Sequence, residues 1–352
     1  MAVEYTAIAN KIAEQIRDGK FTDTLPSINT FSKMYSVCPA TVKRAISQLK
    51  DWEMVSGEQG RCVRVNPRAS VNPFFHKNIV VLVQTRSIEI EFYNKVIVYL
   101  NDCLDRLHTC FHIFVSEKQF RECGFEPDCV IVIEKKVSKE LLIYTPFEKI
   151  IKLNYPESGY LSVTTDNRQA GYKAIEQIAE TFGHKKIGML TSQLQYEYGC
   201  FRDRFLGATD YCSVHKEISL ITENVPEEVA DALTLLPCVE NLFRKDPEIS
   251  AIFTSSDAFA LGVYAYAAKN KLKIPEDFSV IGFDNSVFSR ALYPQLSTFQ
   301  ENHDETGKNL LAMIKTILLK QDIAQKNVVI SPNIVLRNSL TFNRNPKQNE
   351  RS

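Results

Sequence analysis

The sequence predicts an α/β protein in which a small N-terminal winged helix-turn-helix precedes two lobes, each built on a doubly wound parallel sheet. Residues 1–66 combine three helix-period apolar patterns with a short alternating segment that contains two glycines. From residue 79 onward, strand-length apolar runs alternate with helical segments, and this alternation restarts at residue 186. Strands that are apolar on both faces and separated by helices are typical of parallel sheets covered on both sides.

Length and composition limit the class of protein. At 352 residues the chain is too long for one ordinary core, and 44% hydrophobic with 24% charged residues indicate a globular protein. The longest apolar runs have strand length, well short of the roughly 20 residues that span a bilayer. The N-terminal segment lacks the cationic start and apolar core of a signal peptide. We therefore expect a cytoplasmic protein with no membrane partner.

Motifs for catalysis and metal binding are missing from the sequence. The nine cysteines form no C-x-x-C pair, and the loose group of Cys103, His108, Cys110 and His112 fits no zinc spacing. The sequence contains no nucleophile elbow, no P-loop, no H-E-x-x-H motif and no G-x-G-x-x-G after a strand. We expect no catalytic residues, no metal and no cofactor, so the protein is not expected to be an enzyme.

The formal charge divides unevenly along the chain. Residues 1–70 hold ten Lys/Arg against seven Asp/Glu, or +3, and the remaining residues hold 32 against 35, or −3. The basic share therefore lies in the N-terminal segment, as expected for a domain that contacts DNA phosphates.

The first 66 residues carry the spacing of three short helices. Ile8, Ile12 and Ile16 form one apolar face of a first helix. The hydroxyl of Ser27 can cap a second helix, and Pro39 suits the first turn of a third. The third helix has a buried stripe of apolar residues: Val42, Ala45, Ile46 and Leu49. The segment MVSGEQGRCVRV then predicts a β-hairpin. Periodicity alone leaves both a DNA-binding domain and a protein-docking bundle open.

The segment LPSINTFSKMYSVCPATVKRAISQLKDWEMVSGEQGRCVRV resembles the DNA-binding domain of the gluconate-operon-repressor (GntR) family. The matching positions are Leu25, Pro26, Ser27, Thr41, Val42, Ala45, Leu49 and Val63. The resemblance implies that this segment binds a double-stranded DNA operator. Asn29 and Pro39 stand where the family often has arginines that contact guanines, so the family's usual operator sequence is not expected here.

The predicted DNA contacts come from the outer faces of the second and third helices and from the hairpin. This surface is short, polar and cationic, which suits the major groove and its phosphate walls. The candidate residues are Ser27, Asn29, Thr41, Lys43, Arg44, Gln48 and Arg61. A solvated surface role is the alternative for each of them.

The sequence divides into a DNA-binding domain at 1–66, a linker at 67–78, a two-lobed domain at 79–342 and a polar tail at 343–352. The linker has no periodic pattern and predicts a semi-extended connector. We expect the chain to pass between the lobes, with the first lobe at about 79–165 and 303–320 and the second at about 166–302 and 321–342.

Seven apolar runs are candidates for the strands of the two lobes. In such sheets ligands bind at the carboxyl ends of the strands, so two facing lobes enclose a binding cleft. The candidate strands are 79–83, 111–115, 129–133, 149–153, 186–190, 251–254 and 278–283.

Residues 79–342 resemble the effector domain of the lac-repressor family, which is itself similar to periplasmic sugar-binding proteins of type I. The motifs that carry the resemblance are Asp257, Ala260-Leu261-Gly262, Ile274-Pro275-Glu276-Asp277, Val280-Ile281-Gly282-Phe283-Asp284, Pro294, Leu296-Ser297-Thr298 and Gly307. Asp166-Asn167 with Gly171, and Arg337-Asn338-Ser339, resemble the family's crossover and closing strand. The resemblance implies a homodimer that holds a small sugar between its lobes.

The same resemblance implies the effector-binding residues. Arg204 lies in the family's R-x-x-G position, and Asp284 ends the G-F-D motif. These side chains can donate to sugar oxygens and accept from hydroxyls, respectively. Four further candidates are Ser256, Asn154, Phe92 and Tyr93. The alternatives are an interlobe ion pair for Asp284, a helix cap for Ser256 and core packing for the two aromatic residues.

We therefore expect a sequence-specific transcriptional regulator, a repressor by resemblance, that responds to a monosaccharide or a sugar phosphate. Two other interpretations stay open. The chain could be a sugar-binding protein without a transcriptional role, or a regulator whose lobes serve only for dimerisation. An export signal would favour the first, and loss of the cleft residues would favour the second.

Overall fold

The computed structural model describes residues 2–57, 62–67, 72–88, 90–192, 199–226, 232–321 and 326–343. The strands are β1 (Val55–Ser56), β2 (Arg64–Val65), β3 (Asn78–Leu82), β4 (Cys110–Phe114), β5 (Cys129–Ile133), β6 (Ile150–Leu153), β7 (Leu161–Thr165), β8 (Lys186–Ser192), β9 (Ser219–Val225), β10 (Ala251–Thr254), β11 (Ser279–Phe283), β12 (Ser297–Gln300), β13 (Asn327–Ile330) and β14 (Asn333–Val335).

The α-helices of the described residues follow in the same order. They are α1 (Ala2–Arg17), α2 (Ile28–Tyr35), α3 (Pro39–Asp51), α4 (Thr85–Ile88), α5 (Glu91–Arg106), α6 (Glu117–Glu122), α7 (Lys139–Tyr144), α8 (Asn167–Glu176), α9 (Cys200–Val214), α10 (Ala232–Lys245), α11 (Asp257–Lys269), α12 (Val287–Ala291) and α13 (His303–Leu318).

The N-terminal head is a winged helix-turn-helix, as the sequence predicts. The Ser27 hydroxyl caps α2 by accepting a hydrogen bond from the Thr30 amide at 3.2 Å, and Pro39 is the first residue of α3. The apolar faces of α1, α2 and α3 close over one core, and the antiparallel β1–β2 ladder packs at its edge. Buried members of this core include Ile8, Ile12, Ile16, Phe31, Val42, Ala45, Ile46 and Leu49.

Each lobe is a six-stranded sheet with helices on both faces. In the first lobe all strands are parallel, in the order β13-β7-β6-β5-β3-β4. In the second lobe the order is β14-β12-β11-β10-β8-β9, and only β14 runs antiparallel to its neighbour. The carboxyl ends of the parallel strands in each sheet supply the side chains of the cleft described below.

The chain crosses between the lobes three times, and the last crossing lies between β13 and β14 rather than near residue 321. It enters the second lobe after β7 and returns for α13, whose buried face packs in the core of the first lobe. β13 then pairs with β7 in the first sheet, and β14 pairs with β12 in the second. The assignment of all of 321–342 to the second lobe is therefore wrong for β13. Its four residues are too few to indicate which sheet they join.

The segment between head and lobes is packed rather than extended, so the predicted semi-extended connector is wrong for residues 72–77. Phe74 is 5% exposed and belongs to the core of the first lobe, whereas Phe75 is 1% exposed and belongs to the core of the head. Arg17 donates to the Phe75 carbonyl at 3.1 Å, and the His76 ring stacks on Trp52 at 5.5 Å. Adjacent phenylalanines thus fasten the head to the first lobe.

This junction yields a stability prediction. Phe75→Ala should lower the free energy of unfolding of the head by about 3–5 kcal/mol, since it empties a buried aromatic site. Phe74→Ala should instead destabilise the first lobe. Trp52 is the only tryptophan of the chain and lies in the head. Its fluorescence in increasing denaturant therefore reports the unfolding of the head, and circular dichroism reports the unfolding of the lobes.

The matched control is Phe147→Ala, because Phe147 is 53% exposed on the first lobe and its removal should shift neither transition by much. If Phe75→Ala left the Trp52 transition at the wild-type denaturant concentration, the head would not depend on this contact.

Candidate functional site: an interlobe cleft and a DNA-binding face

Three polar residues of the cleft come directly after strands and have a left-handed backbone. Glu134 follows β5 with φ 51°, Asn154 follows β6 with φ 54°, and Asp284 follows β11 with φ 117°. Such conformations are costly for residues with a Cβ and cluster at functional sites. Their position at carboxyl ends of parallel strands is where doubly wound sheets bind ligands.

Arg204 is the buried cation of the cleft. Its side chain is 3% exposed, and its Nε donates to Asn167 Oδ1 at 2.9 Å while Nη1 donates to the Ser255 carbonyl at 2.6 Å. The guanidinium lies 3.3 Å from the centroid of the Phe283 ring. Asp284 Oδ1 is 3.8 Å from Nη1. The predicted pair of effector residues is therefore brought together.

Two glycines set the position of Arg204. A Cβ at Gly171 of α8 would lie 1.8 Å from the Arg204 carbonyl, and one at Gly207 of α9 would lie 1.8 Å from the Arg168 carbonyl. The backbones of α8 and α9 are therefore in direct contact, which only glycine allows at these two positions. This contact brings Asn167, at the start of α8, within hydrogen-bond distance of Arg204 on α9.

Ser256 and Asp257 support Asp284 from the start of α11. The Ser256 hydroxyl donates to Asp284 Oδ2 at 2.7 Å and accepts from the Ala258 amide at 3.3 Å, so it caps α11 and orients the carboxylate. The buried Asp257 carboxylate accepts from the Ser286 amide at 2.8 Å and from the Thr298 hydroxyl at 2.6 Å. Asp257 has a structural role in holding the loop after β11.

Glu301 joins the two lobes at the back of the cleft. It lies in the connection from β12 to α13 and is 6% exposed. Its Oε1 accepts from the Thr165 hydroxyl at 2.6 Å and from Asn154 Nδ2 at 3.3 Å. A cavity of about 130 Å³ opens beside it, lined in part by Asn167 and Cys200. Sequence reasoning missed Glu301, Glu134 and Asn167, although each stands at or near the carboxyl end of a strand.

The two aromatic candidates differ in position. Phe92 is buried in the core of the first lobe, which favours the packing role. Tyr93 is also buried, but its hydroxyl accepts a hydrogen bond from Asn154 Nδ2 at 3.0 Å and so reaches the cleft. Nearby, Glu91 at the start of α5 pairs with Arg290 of the second lobe at 3.1 Å. This ion pair bridges the lobes at the surface.

The candidate DNA-binding face is polar and accessible. The side chains of Ser27, Asn29, Lys43 and Arg44 are exposed, and Thr41 and Gln48 are half-buried along the outer side of α3. Arg61 lies outside the described residues. The turn between α2 and α3 is held by Ser36, in the left-handed conformation with φ 54°, and by the Ser32 hydroxyl, which donates to the Val37 carbonyl.

Residues 163–340 match the family model of the periplasmic binding protein-like domain. The chain belongs to this family. The match begins in β7 and covers the second lobe with its crossovers, including Arg204, Asp284 and Glu301. Arg204, Asp284 and Glu301 therefore lie within the periplasmic binding protein-like domain, whereas Glu134 and Asn154 lie before the first matched residue.

Two curated relatives are named as transcriptional repressors. The HTH-type transcriptional repressor PurR of Mannheimia succiniciproducens is 26% identical over 58% of this chain, and the chain spans 61% of that relative's length. The HTH-type transcriptional repressor CytR of Escherichia coli is 23% identical over 86% of this chain and 88% of its own.

Two solved structures share the fold. One is a sugar-binding transcriptional regulator of the LacI family from Escherichia coli in complex with phosphate, with a TM-score of 0.63, 19% identity and coverage of 76% of this chain and 99% of that chain. The other is the transcriptional regulator CelR in complex with cellobiose, with a TM-score of 0.61, 14% identity and coverage of 90% and 100%. At these identities the similarity establishes the architecture alone.

The assignment to the GntR family is wrong. The matching family model lies at 163–340, the curated relatives are named as HTH-type repressors, and the solved neighbour is a LacI-family regulator. The positions that carried the resemblance, such as Ser27 as a helix cap and the buried Val42 and Leu49, are those that the helix-turn-helix fold itself requires. They indicate a geometry that different families share.

The described residues contain no helix long and apolar enough to cross a membrane, and no group of His, Cys, Asp and Glu side chains arranged around a metal ion.

Two carboxyl groups of the cleft, Glu301 and Asp284, have raised pKa values. Burial raises the pKa of Glu301 to about 7, with Asp284 and Glu134 adding to the rise while Arg204 and the Thr165 hydroxyl oppose it. Burial likewise raises the pKa of Asp284 to about 6, against the opposing charge of Arg204. One guanidinium thus does not neutralise the carboxylates around it.

The raised pKa of Glu301 predicts a pH dependence of stability. Between its ordinary value of 4.5 and about 7 the folded protein holds a proton that the unfolded chain releases. The contribution of Glu301 to the free energy of unfolding should therefore fall as pH rises through this window. Glu301→Gln should reduce this fall in stability with rising pH. The measurement is the midpoint of denaturant unfolding at each pH from 5 to about 8.

The matched control is Glu122→Gln, since Glu122 is exposed on the first lobe and its loss should leave the wild-type pH profile unchanged. A Glu301→Gln profile parallel to that of wild type would show that Glu301 titrates normally.

Proposed function

We propose that the chain is a lac-repressor-type transcriptional repressor whose head binds a double-stranded DNA operator and whose cleft binds a small polyhydroxylated effector. The observation that carries this proposal is the physical joining of the two parts. Phe74 and Phe75 connect a head with an exposed cationic face on α3 to a two-lobed domain with a polar cleft. A binding protein without a regulatory role has no need of this head.

The chemistry of the cleft suits a sugar. Arg204 offers planar donors to ring or hydroxyl oxygens, and Asp284 offers acceptors to hydroxyls. Asn154 adds an amide at the carboxyl end of β6 in the facing lobe. Both lobes contribute, so an effector held by these groups favours the closed arrangement. One further curated relative, from Haemophilus influenzae, is named as a ribose operon repressor.

Regulation follows from linkage between the cleft and the head. In a homodimer, two heads contact two half-sites whose spacing is fixed by the DNA helix. An effector that changes the angle between the lobes changes the distance between the heads, and therefore the operator affinity. Operator binding requires a cytoplasmic protein. The two alternatives, a sugar-binding protein without a transcriptional role and a regulator whose lobes only dimerise, are tested by the DNA and effector experiments below.

The effector contacts are tested by substitution. Arg204→Ala and Asp284→Ala should each weaken effector binding by about 10-fold to 150-fold, because a charge-assisted hydrogen bond contributes about 1.5–3 kcal/mol. The effector is first found by a thermal-shift screen of monosaccharides, and affinities are then measured by calorimetry. Operator affinity without effector should stay near that of wild type, since the head is a separate domain.

The control is Arg244→Ala, which removes an exposed arginine of α10 in the second lobe and should leave effector binding unchanged. Normal effector binding by both cleft variants would contradict the assignment, and loss of operator binding as well would assign Arg204 and Asp284 a structural role.

The DNA contacts are tested by salt dependence. The double variant Lys43→Ala/Arg44→Ala should weaken operator binding and reduce the slope of log K against log salt by about 1.8, since each phosphate contact contributes about 0.9. The operator is first obtained by selection from random DNA. Lys173→Ala/Lys216→Ala removes the same charge from exposed sites of the second lobe and should retain the wild-type slope.

Identical slopes for the two double variants would exclude α3 from the DNA interface. Failure to select any operator sequence would favour the sugar-binding protein without a transcriptional role.

A further inference from the structure

The described cleft holds more negative than positive charge. Asp284, Glu301 and Glu134 act electrostatically on one another and on the same cation, Arg204. Glu134 and Glu301 both lie next to Asn154, because the Glu134 amide donates to the Leu153 carbonyl at 3.0 Å and Asn154 donates to Glu301, while Asp284 lies 3.8 Å from Arg204. Above about pH 7, where Asp284 and Glu301 are ionised, one positive and three negative charges sum to −2. Asp257 is not counted, because Ser286 and Thr298 occupy its carboxylate behind this space.

The cations nearest to these groups are engaged elsewhere. Arg290 pairs with Glu91 at 3.1 Å, and Lys135 pairs with Glu117 at 2.7 Å. Among the described side chains, no lysine or arginine forms an ion pair with Glu301 or Glu134. The excess of carboxylates in the described cleft is therefore not offset by a second protein cation.

The carboxylates retain hydrogen-bonding capacity. Glu301 uses only Oε1 for Thr165 and Asn154, and Glu134 uses only Oε2 for the Ser87 hydroxyl at 2.8 Å. No described residue donates a hydrogen bond to the second oxygen of either group. The buried Glu301 side chain thus keeps one acceptor that a ligand can satisfy, on the boundary between the lobes.

An incoming ligand meets three acidic acceptors and one basic donor. A phosphate or carboxylate would add negative charge to a buried site that already carries an excess, and the repulsion would exceed what Arg204 alone offsets. A neutral sugar would satisfy hydrogen bonds but leave the charge excess unchanged. An ammonium group supplies a positive charge and three donors.

We propose that the effector is a cationic polyol, a sugar-like ring that bears an amino group, with its ammonium between Glu301 and Glu134 and its hydroxyls on Asp284 and Arg204. This inference rests on the proposed function and narrows its effector class. It places sugar phosphates outside that class. Because Glu134 belongs to the first lobe and Asp284 and Arg204 to the second, a ligand that binds all three draws the cleft closed.

The test compares probes that differ only in charge. The full-length protein is titrated with glucosamine, glucose and glucose 6-phosphate, and with the corresponding galactose and mannose series, by thermal shift and then calorimetry. At least one amino sugar should stabilise the protein at about 10 mM and bind at least about tenfold more tightly than its neutral counterpart. The phosphorylated member of that series should bind most weakly.

Substitutions locate the ammonium. Glu301→Gln and Glu134→Gln keep the shape and one acceptor of each side chain. Each substitution should lower the affinity for the amino sugar by about tenfold and change the affinity for the neutral counterpart little. Glu122→Gln is the matched control and should leave both affinities unchanged. Circular dichroism verifies that each variant is folded.

The outcomes separate this inference from the proposed function. Tighter binding of a neutral or phosphorylated sugar, or no detectable binding of any amino sugar, overturns the inference. If such a neutral or phosphorylated sugar also changes operator affinity, the proposed function stands although the inference about a cationic effector fails. If an amino sugar binds with the expected dependence on Glu301 but leaves operator affinity unchanged, the effector class stands and the proposed repressor function fails.

Discussion

A single buried guanidinium organises the second lobe. Arg204 has lost nearly all contact with solvent, and a charge in that position requires partners that replace its hydration. Those partners come from three separate segments: Asn167 at the start of α8, the Ser255 carbonyl after β10, and Phe283 and Asp284 at the end of β11. The order of the strands and the close contact between α8 and α9 both serve to bring these groups to one point.

The same site has destabilising features that packing alone does not explain. Glu134, Asn154 and Asp284 adopt a left-handed backbone, and the buried carboxyl group of Glu301 and the half-buried one of Asp284 share one cation, Arg204. Strain and unbalanced charge are both destabilising in the free protein. A ligand that supplies donors to these groups recovers part of that free energy. The features that lower the stability of the protein are therefore those that give a ligand its affinity.

The sequence predicted the parts of the fold whose residues carry their own periodicity. The uniformly apolar β5 and β10 have the predicted bounds, and the head follows from the spacing of Ile8, Ile12 and Ile16. Strands β7, β9 and β12 were not predicted, because serine, threonine and glutamate interrupt their apolar runs. These segments form strands because they pair with buried neighbouring strands.

For the cleft, Arg204 and Asp284 came from a family resemblance, whereas Glu301 lies 17 residues beyond Asp284 and joins the site only through the crossover. The packed junction was missed for a related reason. Two adjacent phenylalanines have no periodicity, and their separate burial depends on two domains that meet at that point.

That junction decides how a change in the cleft reaches the head. Phe75 and His76 attach the head to the first lobe, and Asn72 reinforces the attachment by donating to the Leu107 carbonyl at 2.7 Å. A flexible linker would let the head keep its orientation when the lobes move. A packed junction makes the head and the first lobe one body, so closure about the crossovers at Thr165 and Glu301 rotates the head together with that lobe. Under the proposed function, we expect rotation relative to the second lobe to be the motion by which an effector alters the geometry presented to DNA.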